Sequence, residues 1–162
     1  MLERVRRLLP GLWAGVLLCI AAIAAPAAFS ILERPVAGQL VGWVFQREAW
    51  LSVVAAVVLL VIERPRARAA SAAGAGSVLG TDMLLLLGTI FCTVAGHFAL
   101  LPLMASARAG HGLLSFGQLH VISVVFFLAK LLLILALAWR GAGPVAGRAA
   151  GQATDISRPL SS

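Results

Sequence analysis

Long charge-free apolar runs, separated by short basic stretches, set the pattern of this chain. Leu8 to Leu32 is 25 residues without a charge, and one helical crossing of a bilayer takes about 20. Pro10 sits in the first turn of that run, where its missing N–H costs little. Pro26 lies near the other end and is expected to kink or end the helix. A basic head followed by an apolar run and small residues also has the outline of a signal peptide. The run is long for that, and we read it as a retained span over 8–32.

Residues 33–48 break the apolar pattern. Pro35 can open a helix, with Gln39, Gly42 and Gln46 on one face and Leu40, Val41, Val44 and Phe45 on the other. That suits a short interfacial amphipathic helix, with Trp43 and Trp50 at headgroup level. The stretch Ala49–Ile62 holds only 14 residues, so the second span borrows from the segment before it and covers 45–62. A loop with Arg64, Arg66 and Arg68 comes next. The third span is expected over 83–103, opening after Asp82 and closing near Pro102. The fourth covers 118–139. From residue 141 to 162 the chain is rich in Gly, Ala, Ser and Pro with no apolar face, the composition of a disordered tail. The fold class is therefore all-α: a four-helix transmembrane bundle of up-down topology, one domain over residues 1–140.

Composition agrees. The chain is 61% apolar and 12% charged, with a mean hydropathy of +1.01. A soluble domain is about a quarter charged. Net charge is +7, yet the basic residues stand singly or in threes beside apolar runs, so we expect the lipid bilayer as partner and no nucleic acid. With the N-terminus in the cytoplasm, that side holds nine basic residues and the other side Arg34, Arg47 and Arg108. The positive-inside rule then places both termini in the cytoplasm. No P-loop, G-x-S-x-G, H-E-x-x-H, C-x-x-C or dinucleotide fingerprint occurs. Too little chain lies outside the spans for a soluble catalytic domain, so we expect no enzyme.

Several residues then fall into a recognisable order. They are Leu12-Trp13-Ala14-Gly15 with Pro26 and Phe29, then Ala37-Gly38, Phe45 and Glu48, and then Pro102-Leu103-Met104 with Arg108. Last come Phe116-Gly117-Gln118-Leu119-His120 and Ser123. In these the chain resembles the transmembrane-protein-205-like family, over roughly residues 8–140. The bacterial branch of that family is catalogued as a domain of unknown function. The resemblance implies four helices with short connections, in a bacterial inner membrane, and no particular activity.

Chemistry-bearing residues inside the spans are few. His97 and His120 lie near the outer ends of the third and fourth spans, and Glu48 opens the second at the same surface. Two imidazoles and a carboxylate suit copper or zinc, with Met104 and His111 near by. The plainer expectation is that Glu48 pairs with Arg47 or Arg34 and each histidine bonds a neighbouring helix. Haem held between His97 and His120 is a further alternative, and no resident cofactor is the first expectation. Cys19 and Cys92 both fall near the midplane, where they are small buried apolar groups or soft copper ligands. Lys130 is about twelve residues into the fourth span. No Asp or Glu is expected at its depth, so its partner is open. His120, Ser123, Phe127 and Lys130 form one helical stripe, expected to face the bundle. Gly11 and Gly15, and Gly88 and Cys92, have the small-xxx-small spacing of close helix contacts. The chain is therefore expected to act by interaction, as a homo-oligomer or with another membrane protein, or by handling a small solute or ion.

Overall fold

The structure, a computed structural model, describes residues 1–111 and 113–142. Four helices, each long and apolar enough to cross a membrane, account for most of it: α1 Leu2–Ile31, α2 Arg34–Ala72, α3 Thr81–Arg108 and α4 Phe116–Ala142. No strand occurs among the described residues. The expected disordered tail falls, from residue 143 onward, outside the described residues.

The helices run up and down. α1 packs on α2, α2 on α3, α3 on α4 and α4 back on α1. The bundle is thus square in section, with α1 opposite α3 and α2 opposite α4. Its core is a column of Trp13, Ala14, Leu17, Ala55, Ala56, Leu59, Leu86, Leu131, Ile134 and Leu137. Small residues on α2 admit large ones from α1 and α4, which is how close-packed interiors are filled.

The expected interfacial helix does not form separately. Pro35 stands in the first turn of α2, and the helix then runs unbroken for 39 residues. Between Pro35 and Pro65 no residue blocks helix propagation, and Gly38 and Gly42 only weaken it. Ala37 is fully buried, so the first turn is held by packing. At 1.5 Å per residue α2 is about 58 Å long, well beyond a hydrocarbon core of about 30 Å. Its surplus carries Arg64, Arg66 and Arg68 past one end of the bundle. Beside them lie Arg4, Arg6, Arg7 and Arg140, and this is the basic end. Arg34 and Arg108 mark the far end.

No internal proline stops its helix: α1 opens at Leu2, so Pro10 is interior rather than in the first turn, α2 continues past Pro65, and Pro26 and Pro102 are also passed. A proline removes the N–H that would bond to residue i−4 and its ring crowds that carbonyl. For Pro26 and Pro102 these carbonyls belong to Ala22 and Phe98. Each lies in a π-helical turn, Ile20–Ala24 in α1 and Val94–Ala99 in α3. The wider turn takes up the misfit, and the helices continue to Ile31 and Arg108. A π turn also adds a residue to the turn, rotating the remainder of the helix by about 100°. Within the turn in α3, Gly96 meets α4. A Cβ on Gly96 would lie 2.4 Å from Cβ of Phe126. Ser123 donates to the Gly96 carbonyl at 3.0 Å across this contact. Gly88 is close to Leu133 in the same interface, whereas nothing lies within 4 Å of a Cβ on Gly11 or Gly15. That expected small-residue contact therefore plays no part within the chain.

Candidate functional site

Glu48 lies 14 residues beyond the start of α2 and Lys130 lies 14 residues beyond the start of α4. At 1.5 Å per residue each is about 21 Å along its helix from the far end, near the middle of the bundle. The expectation that Lys130 has no acid at its depth is thereby corrected. It rested on opening the second helix at Glu48, and the helix opens at Arg34. Lys130 Nζ donates to both carboxylate oxygens of Glu48 at 2.8 Å. The two side chains are 5% and 2% exposed. They span the diagonal of the square, joining two helices whose backbones face each other across the core.

Two more side chains complete the cluster. Ser52, one turn after Glu48, donates its hydroxyl proton to Glu48 Oε1. Its oxygen accepts from Trp13 Nε1 at 3.0 Å and, more weakly, from Lys130 Nζ at 3.4 Å. Trp13, on α1, thus ties a third helix to the pair. Toward the far end, Phe127 lies 5.2 Å from Nζ and meets Phe45 edge-on at 5.4 Å. Toward the basic end lie Leu17, Ala55, Leu131 and Ile134 of the core. The charges are enclosed between an aromatic pair and an aliphatic layer. A buried ion pair holds only when its remaining hydrogen-bonding capacity is met, and Ser52 and Trp13 meet it here.

α3 contributes differently. Thr89 and Thr93 are buried, but their hydroxyls donate back to Leu85 and Thr89 of their own helix at 2.8 and 2.9 Å. Cys92 is buried. His97 lies in the π turn. Its Nε2 is fully buried and has no hydrogen-bond partner. Its ring stands edge-on to Phe98, which in turn meets Trp50. A buried polar nitrogen without a partner is uncommon and costly.

The three residues expected as metal ligands are not brought together. Glu48 is engaged by Lys130, and His97 lies in the π turn of α3. His120 is exposed at the far end and stacks on Phe116, their centroids 5.9 Å apart. Arg108 covers the Phe116 ring at 4.3 Å. Among the described residues no three His, Cys, Asp or Glu side chains form a metal-ligand group. Of the expected stripe, Ser123, Phe127 and Lys130 do face the bundle, while His120 does not. Cys19 is exposed and Cys92 buried, so the two sulfurs do not share an environment. Glu48 pairs with neither Arg47 nor Arg34. The i, i+4 pair Glu48 and Ser52, continued on the same face by Ala55, Ala56 and Leu59, is the signal that marks this side of α2 as buried.

A family model described as Domain of unknown function (DUF4149) matches residues 8–112. The matched stretch includes Trp13, Glu48, Ser52 and His97. It ends before the Phe116–His120 motif and before Lys130. No curated protein and no solved structure matches the chain.

Proposed function

The chain belongs to the DUF4149 family, and we propose that it is a non-enzymatic membrane protein that handles a small ion or charged solute at the Glu48–Lys130 centre. The observation that carries this reading is the enclosed Glu48–Lys130 ion pair, and the buried, unpartnered Nε2 of His97 is a second polar group inside the bundle. Ionisable groups at membrane depth mark ion and proton pathways more often than they mark packing. When the pair separates it offers a carboxylate to a cation and an ammonium to an anion. Copper or zinc handling at His97, His120 and Glu48 would first require Glu48 to leave Lys130, so we rank it second.

The same proposal places the protein in a bacterial inner membrane with the basic end and both termini in the cytoplasm. The distribution of arginines supports this, seven of those among the described residues lying at that end. It also keeps the wider likeness to transmembrane-protein-205-like proteins.

The test is reconstitution of the full chain in proteoliposomes. Currents on a solid-supported membrane are recorded through a panel of small inorganic ions and pH steps. The proposal expects a current with at least one ion that disappears in the Glu48→Gln/Lys130→Met double variant, whose melting stays cooperative. It is overturned if no ion gives a current or a melting shift in the wild type, or if the double variant conducts as the wild type does.

A further inference from the structure

The outward side of α2 carries polar groups between the middle of the bundle and its far end. Gln39, Trp43, Gln46 and Trp50 follow each other at intervals of four, three and four residues, one helical stripe. All four are exposed, the tryptophans at 57% and 55%. The stripe lies opposite the face that buries Glu48 and Ser52. Arg47 flanks it, also exposed, and its guanidinium stacks over Trp43 at 5.0 Å. Among the described residues no carboxylate pairs with Arg47.

Depth decides what this means. Arg47 adjoins Glu48 in sequence and so starts from the middle of the bundle. Trp43, over which it folds, is five residues nearer the far end than Glu48, or about 7 Å. The edge of a hydrocarbon core of about 30 Å is about 15 Å from its centre, so the guanidinium stops well short of the lipid phosphates. A second copy of this chain supplies no answer either. Its Glu48 is held by Lys130 on the opposite face, and Glu33 stands at the far end. The other carboxylates of the described residues, Glu3, Glu63 and Asp82, lie at the basic end.

We propose that this stripe docks a transmembrane helix of another protein, one that carries a carboxylate near the bilayer midplane to pair with Arg47. The amides of Gln39 and Gln46 then bond across the helix–helix contact, where such groups act as adhesive. Gly42, where a Cβ would meet nothing within 4 Å, lets the partner approach closely. The inference does not depend on what the Glu48–Lys130 centre does.

The test places a photo-crosslinking residue at Gln46 of the full chain, expressed in its host membrane, and identifies the adduct by mass spectrometry. The proposal expects a membrane protein with a carboxylate in a span. Arg47→Glu is expected to lower the yield by more than about tenfold, the scale of a lost desolvated charge pair. Converting the partner's acid to arginine is expected to restore it. Because Arg47 is exposed, unchanged melting of the Arg47→Glu protein verifies its fold, and Arg47→Gln serves if it misfolds. Adducts with a second copy only, or with lipid only, overturn the proposal. So does a yield indifferent to residue 47.

Discussion

At the basic end, Glu3 accepts from Arg6 at 2.8 Å, Arg7 at 3.1 Å and Arg66 at 2.7 Å, Glu63 adds a contact to Arg6, and Arg140 meets Asp82 at 2.5 Å. At the centre, Glu48 accepts from Lys130 and Ser52 and from no other side chain among the described residues. The groups are alike and their surroundings are not. Glu3, Arg7, Arg66 and Arg140 each keep more than two fifths of the side chain exposed, so water and salt screen them and any lost partner is replaced by solvent. Glu48 and Lys130 have no solvent to fall back on. Redundancy protects the first region, and exclusivity makes the second both fragile and informative.

The largest effect separating the two comes from removing one member of the central pair. Glu48→Gln or Lys130→Met alone strands a buried charge and is expected to cost about 3–5 kcal/mol, read by denaturant unfolding in detergent. The double variant removes both charges and is expected to return close to wild-type stability. If single and double variants lose the same amount, the pair is not coupled and the contrast fails.

Gly96→Ala tests whether close helix approach holds the centre in place. Its Cβ would fall 2.4 Å from Phe126 Cβ, and overpacking of this kind costs about 1–3 kcal/mol. A fully wild-type melting curve would show that α3 and α4 are free to separate. Arg140→Gln, at the basic end, is expected to cost about 1 kcal/mol or less in the same assay. A loss as large as that of Lys130→Met would erase the distinction between the regions.

The smallest effect is one of pH. Its three arginines, Arg6 and Arg7 foremost, hold the Glu3 carboxyl at about 2 against an ordinary 4.5. A depressed carboxyl stabilises the folded state fully above the unfolded value and loses that contribution as pH falls through the folded one. The wild type is therefore expected to lose melting temperature relative to Glu3→Gln between about 4.5 and 2. The difference is expected to be constant above that window.

Four spans, their alternation and the excess of arginine at one end were legible in the chain itself. Each depends on a local property: the length of an apolar run, or the charge that bounds it. Hydrocarbon imposes those properties segment by segment, whatever the segments later touch. The partner of Lys130 was not legible in that way. It depends on where α2 begins, in a first turn held by the burial of Ala37, although Pro35 already offered an opening. The π turns before Pro26 and Pro102 belong to the same class. They rotate the second halves of α1 and α3, and within the turn of α3 Gly96 comes onto Phe126. Which side chains meet across the bundle is set by helix starts and rotations that add up along each helix, and neighbouring helices determine them. The apolar pattern is indifferent to these rotations, so only the tertiary structure joined Glu48 to Lys130.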